Sequence, residues 1–233
     1  MKERFKIMGV INVTPDSFSD GGKYYRTEKA VNHTLTLIQQ GAEIIDIGGE
    51  STRPGADSVS ESEELKRVIP VIQAIRKKNT EITLSIDTSK AEVMTQAIKA
   101  GANFVNDVNA LQNPNCMEVV AKAGIPVCLM HKQGTPKNMQ NKPHYADILT
   151  EVIAFLQRRI DNCLLAGIKR ENIIIDPGIG FGKTLKHNLV LLRNIKKLKN
   201  SLNFPLLIGV SRKSMIGELL NNKVDERLYG SLA

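Results

Sequence analysis

Ile82-Thr-Leu-Ser-Ile-Asp87 is the stretch that decides the fold. A short run rich in β-branched and aliphatic residues reads as a strand buried on both faces, the habit of a parallel sheet. It ends on a carboxylate that a buried strand should not tolerate. Ser89-Lys-Ala-Glu92 follows, with the spacing of a capping box that opens a helix. The same sentence is written six more times: Ile7-Met-Gly-Val-Ile-Asn12, Ile44-Ile-Asp-Ile-Gly-Gly49, Phe104-Val-Asn-Asp107, Val127-Cys-Leu-Met-His131, Ile173-Ile-Ile-Asp176 and Leu206-Leu-Ile-Gly-Val-Ser211. Parallel α/β folds collect ligands at the carboxyl ends of their strands. Those ends carry Asn12, Glu50, Asp87, Asn106, His131, Asp176 and Ser211. Seven polar ends in order describe the rim of an active site.

Helical patterns fill the intervals. Thr27 is placed to cap a helix carrying Val31, Leu35 and Ile38 and closed by Gly41. Ser60-Glu-Ser-Glu63 is a capping box before Leu65, Val68, Ile69, Ile72 and Ile75, and Pro70 predicts a kink there. A shorter helix fits between Pro114 and Gly124. Ile148, Val152, Phe155 and Leu164 mark a long one ending near Gly167, and Thr184 caps another through Leu191, Ile195 and Leu198. Alternating βα units force a parallel sheet with helices outside. No linker or composition shift interrupts residues 1–233, so one domain is expected. Periodicity alone leaves a barrel and an open doubly wound sheet both standing.

The bulk composition excludes several classes. A chain of 233 residues with 42% hydrophobic and 24% charged residues has the make-up of a globular protein. Trp is absent and only 4% of residues are aromatic, which argues against base-stacking platforms. The net charge of +8 fits a basic solvated surface or an anionic substrate, and no nucleic-acid motif accompanies it. Cys116, Cys128 and Cys163 have no metal or redox spacing, which points to reduced thiols in the cytoplasm. The first apolar run is too short for a signal peptide, and no window approaches a membrane span.

Several groups carry chemistry. The loops Asn12-Val-Thr-Pro-Asp-Ser-Phe-Ser-Asp-Gly-Gly22 and Gly48-Gly-Glu-Ser-Thr-Arg-Pro-Gly-Ala56 place hydroxyls, carboxylates and Arg53 on the rim. Gly178-Ile-Gly-Phe-Gly-Lys-Thr184 is not a phosphate-binding P-loop, because Pro177 stands where the first glycine is required and Asp176 would repel a phosphate. It reads instead as a turn that brings backbone close to a flat ligand, with Phe181 closing over it. Asp87, Asn106 and Asp176 suit a planar heterocycle, since a buried carboxylate persists only with hydrogen-bond donors and adjacent ring N–H groups supply them in pairs. Asp87 could alternatively cap the next helix. Ser211-Arg-Lys-Ser214 offers a hydroxyl and two cations. His131 is either a ligand contact or a structural histidine, and the histidines show no metal spacing with one another.

Taken together, these motifs resemble the dihydropteroate synthase family. The resemblance rests on Asn12–Gly22, Asp46-Ile-Gly-Gly-Glu-Ser-Thr-Arg-Pro-Gly55, Ile86-Asp-Thr-Ser-Lys90, Asn106-Asp107, Asp176-Pro-Gly-Ile-Gly-Phe-Gly-Lys183 and Ser211-Arg-Lys-Ser214, in that order. It implies a TIM-like (β/α)8 barrel, to which this chain supplies about seven strands, and a cytoplasmic homodimer of folate biosynthesis that sulfonamides target. The implied reaction joins 6-hydroxymethyl-7,8-dihydropterin diphosphate to 4-aminobenzoate. By resemblance Asp87, Asn106 and Asp176 bond the pterin edge, Met130 lines the pocket and Lys213 reaches the ring; Asp87, Asp176 and Lys213 are the catalytic candidates. Asn12 binds Mg²⁺ with the diphosphate. Thr52 and Arg53 lie near the phosphates and second substrate. Phe18, Pro54, Phe181 and Ser211 frame the aminobenzoate. The family pattern also implies an eighth strand carrying Arg-x-His, which is missing from residues 1–233, so an incomplete barrel is expected. Two rival readings follow: a corrinoid methyltransferase domain that shares the pterin residues, and a catalytically impaired pterin-binding fragment.

Overall fold

The computed structural model describes residues 5–14, 23–51 and 55–232. Six strands form one sheet: β1 (Met8–Asn12), β2 (Ile44–Gly48), β3 (Thr83–Asp87), β4 (Phe104–Asp107), β5 (Val127–Met130) and β6 (Ile173–Asp176). All five pairings are parallel and the spatial order is the sequence order. A doubly wound sheet reverses its strand order at a switch point, and this one never does, which selects the barrel architecture. Among the described residues the sheet is not closed, and β1 forms one edge. The helices are α1 (Lys23–Gln39), α2 (Glu61–Lys78), α3 (Ala91–Ala100), α4 (Cys116–Ala123), α5 (Ile148–Leu165), α6 (Leu185–Arg193), α7 (Ile195–Leu202), α8 (Ser214–Leu220) and α9 (Leu228–Leu232). No helix among the described residues is long and apolar enough to cross a membrane.

The seventh expected strand is reduced to one bridge. Leu206 stands opposite Ile175, with Ile175 donating to the Pro205 carbonyl and Leu207 to the Ile175 carbonyl. The ladder cannot continue along this register, because the next partner on the β6 side is Pro177, which has no N–H to give.

Strand alternation divides the sheet into two faces. Ile45, Ile47, Leu84, Ile86, Val105, Leu129 and Ile175 are fully buried in a core shared with the helices. The opposite face presents Asn12 and Gly48, Asp46, Ser85 and Asp87, Asn106, then Cys128, Met130 and Asp176. The polar residues of the strands are thus gathered on the concave side. Asp107 is the exception: it falls on the helix-facing side, where its carboxylate accepts from the Asn109 and Leu111 amides at 2.7 and 2.8 Å.

Helix starts follow local chemistry more closely than pattern. Ser60 caps α2 as expected, accepting from the Glu63 amide, and the helix runs through Pro70 to Lys78 without a break. Thr184 caps α6 in a reciprocal box with His187, but Asn194 divides the expected single helix into α6 and α7. Thr27 lies inside α1, which begins at Lys23; a helix tolerates an internal hydroxyl, so a threonine before an apolar stripe does not fix the start. The predicted box at Ser89 does not form. Lys90 is the N-cap of α3, with no side-chain bond to the helix, and Glu92 pairs forward with Gln96 at 2.7 Å instead of reaching back.

Candidate functional site

The site begins with a polar cluster on β2, β3 and β4. Asn106 lies beside Asp87 in the β3–β4 register, and its Nδ2 donates to Asp46 Oδ2 at 2.9 Å. Burial pushes the Asp46 carboxyl up, against the Ser85 hydroxyl and Asn106 amide that favour its ionised form. Asp87 is held well above the usual carboxylate range, first by burial and then by the negative neighbours Asp46, Asp107, Glu64 and Glu50. Its Oδ1 is buried and has no hydrogen-bond partner among the described residues. Asp87 does not cap α3, so the capping alternative falls away. A carboxylate left this way calls for donors from a ligand.

A second cluster lies on β5, β6 and the following turn. Met130 pairs with Asp176 across β5 and β6. Asp176 Oδ1 accepts from the Gly178 amide at 2.7 Å, so one carboxylate oxygen organises its own turn despite Pro177. Burial raises the Asp176 pKa, opposed by Lys213, the Gly178 amide and Lys183. Lys213 sits at the N-cap of α8. Its ammonium bonds the Ile179 carbonyl and lies 4.7 Å from the centre of the Phe181 ring, a cation–π distance. Burial lowers the Lys213 pKa while Asp176 raises it.

The glycines of the 178–182 turn are there for close approach. Gly178 has φ +67°, and a Cβ on it would lie 1.8 Å from the His131 carbonyl oxygen; Gly182 has φ +63°, with the Gln133 carbonyl 2.3 Å from such an atom. Apart from the Gly178 amide on Asp176, the turn shows carbonyls to the charged groups around it, the ammonium groups of Lys183 and Lys213. That is the electrostatic opposite of a phosphate-binding loop, and it agrees with the exclusion made from Pro177.

Asn12 ends β1 opposite Gly48, and Gly48 is opposite Asp87. A Cβ at Gly48 would meet Asp87 Oδ2 at 3.5 Å and Asn12 Oδ1 at 3.7 Å, so the glycine keeps open the space between them. Ser211 is exposed. Phe18, Thr52, Arg53 and Pro54 lie outside the described residues. His131 resolves as structural: it is buried, its ring stands edge-on to Phe155, its Nδ1 is 3.0 Å from Lys183 Nζ, and burial lowers its pKa to about 3.

Two residues escaped the sequence reading. Asp46 is one: a carboxylate in the middle of Ile44-Ile-Asp-Ile is itself a signal, since it must face either the core or a site. Lys183 is the other, in the glycine-rich stretch that Pro177 excludes as a P-loop. Its signal is weaker, because nothing in the sequence says that this lysine is buried.

The model of the pterin binding enzyme family matches residues 8–233. The dihydropteroate synthase of Haemophilus influenzae is 50% identical over 98% of this chain and 82% of its own. The chain belongs to the dihydropteroate synthase family. Solved dihydropteroate synthases carry the same fold. The Yersinia pestis enzyme in complex with a sulfonamide drug superposes with a TM-score of 0.90 at 50% identity, over 97% of this chain and 81% of that one. The Xanthomonas albilineans enzyme in complex with 7,8-dihydropteroate gives 0.88 at 43% identity, over 99% and 82%. A dihydropteroate synthase is a pterin-binding transferase of folate biosynthesis, and the concave cluster runs from Asp46 inside β2 to Asp87, Asn106 and Asp176 at or near the strand ends, where an α/β barrel binds its substrate.

Proposed function

We propose that this chain condenses 6-hydroxymethyl-7,8-dihydropterin diphosphate with 4-aminobenzoate on the concave rim, and that Asp87, Asn106 and Asp176 hold the pterin. The observation that carries this reading is the unpartnered Asp87 Oδ1 beside Asn106. Ring N–H donors would satisfy it and draw the carboxyl back to its ionised form. The Asn106 amide donates to Asp46, which leaves its Oδ1 turned away as an acceptor. Asp176 has one oxygen in its turn and the other for the ligand. Lys213 reaches the same ring beside Phe181 and Met130.

In the reaction the exocyclic C–O bond to diphosphate breaks, the amine nitrogen bonds that carbon, and one amine proton is released. Positive charge develops on the pterin methylene as the anion departs. The two carboxylates at the ring, Asp87 and Asp176, favour that charge, and the fixed geometry saves reorganisation in the transition state. Mg²⁺ fits the residues present. It takes few protein ligands and prefers hard oxygens with substrate phosphates, and Asn12 Oδ1 offers one such oxygen beside the space above Gly48. When bound, the ion would neutralise the leaving diphosphate. Thr52 and Arg53 would assist the phosphates, and Phe18, Pro54, Phe181 and Ser211 would frame the aminobenzoate. A homodimer and a cytoplasmic setting belong to the same reading, the latter supported by three buried unpaired thiols.

Turnover tests it. The purified chain, given both substrates and Mg²⁺, should form dihydropteroate and release one diphosphate per product. Pterin binding with no condensation would leave it a binding protein.

A further inference from the structure

Five consecutive carbonyls of the turn after β6 each accept a hydrogen bond from a side chain. Lys183 Nζ donates to Gly178 at 2.9 Å and to Phe181 at 3.0 Å. Lys213 takes Ile179. Gln140 Nε2 donates to Gly180 at 2.7 Å, and the Tyr145 hydroxyl to Gly182 at 2.9 Å. Lys183 alone bonds two of the five. It also meets the end of β5, through His131 Nδ1 at 3.0 Å and the His131 carbonyl at 3.3 Å.

Lys183 is 3% exposed. A buried ammonium is costly unless its protons are all used, and four acceptors surround its three. Such a group does not sit there for solubility. It takes the Gly178 and Phe181 carbonyls of the turn, and Lys213 takes the Ile179 carbonyl between them. Lys183 itself bonds none of the residues assigned to the pterin, though Asp176 and Lys213 are near enough to shift its pKa, which burial brings down to about 7.

We propose that Lys183 is a positioning residue: by tying the Gly178 and Phe181 carbonyls to the end of β5, it fixes the turn that presents the Phe181 ring and anchors Lys213 over the pterin. This rests on the site reading above. Without the tie, Ile179 is no longer held where Lys213 needs an acceptor, and the ammonium loses its aim.

A double-mutant cycle read by calorimetry, with the dihydropterin diphosphate as probe and the full chain as protein, tests it. Lys183→Met and Lys213→Met should each weaken binding about tenfold, the scale of one charge-assisted hydrogen bond. Because one acts through the other, the double variant should lose clearly less than the roughly hundredfold product of independent sites. Ile72→Ala, in the buried face of α2, lowers stability away from the turn and should leave affinity within about twofold. Should Lys183→Met not fold, Tyr145→Phe removes one bond from the same turn and should show a smaller loss, again less than additive with Lys213→Met. Unchanged affinity in the turn variants, additive losses, or an equal loss in Ile72→Ala would overturn the proposal. If Lys213→Met alone binds normally, the site reading fails and takes the proposal with it.

Discussion

Asn106 on β4 donates its carboxamide N–H to Asp46 on β2, at 2.9 Å, across the intervening β3. Strands two apart in a flat sheet are about 9.5 Å apart. Two short side chains close that gap because they project from a concave face. The bond therefore reports the curvature of the barrel and fixes the Asn106 amide, with its oxygen left for a ligand.

Asp46→Ala should weaken pterin binding about tenfold by freeing the Asn106 amide. Asp46→Asn keeps an acceptor and should bind within about threefold of the parent chain. Calorimetry on the two variants checks this; equal affinity in both would show that Asn106 needs no anchor.

Asp107 makes the stability pH-dependent. Its pKa rises to about 6 because burial outweighs the Asn109 and Leu111 amides that it accepts from. The folded state therefore holds this proton more tightly than the unfolded chain, and stability falls as pH rises from about 4 to 6, by about 3 kcal/mol from this group. Urea midpoints measured across that window should drop less in Asp107→Asn than in the parent. Parallel profiles would remove Asp107 as the source.

How much of this could be read from the sequence depended on burial. The strands were legible because runs such as Ile173-Ile-Ile have no amphipathic alternative, and Asp87, Asn106 and Asp176 stood out as polar residues ending them. Asp46 was hidden by its apolar neighbours, although the same alternation puts it on the concave face. The seventh strand failed for a reason outside its own residues, namely the missing N–H of Pro177 on its partner. Thr27 and Ser89 misled because a hydroxyl before a helix is a permission to cap and not a requirement. Lys183 could not be read at all, since its role comes from carbonyls that a glycine turn happens to aim at it.

Lys90 bonds Glu50, in the loop after β2, and Glu64, in α2. Glu64 is fully buried and its Oε1 has no partner among the described residues. Lys90→Met would strand that carboxylate and should cost about 3 kcal/mol in chemical denaturation. Adding Glu64→Gln should restore most of it. A midpoint unmoved by Lys90→Met would mean the pair contributes nothing to folding.

Metal removal should separate the two halves of the site. Chelation should abolish condensation and leave binding of a pterin without diphosphate nearly intact, because the proposed reading gives the ring to Asp87, Asn106 and Asp176 and the metal to Asn12. Loss of bare pterin binding on chelation would show that the metal organises the ring site as well.

The central claim is that the concave carboxylates hold the pterin ring, and Asp176→Asn tests it most directly. Calorimetry with the dihydropterin diphosphate should show affinity lower by one to two decades, the loss expected for charge-assisted bonds of about 1.5 to 3 kcal/mol. Affinity equal to that of the parent chain would contradict the claim and move the pterin away from the end of β6.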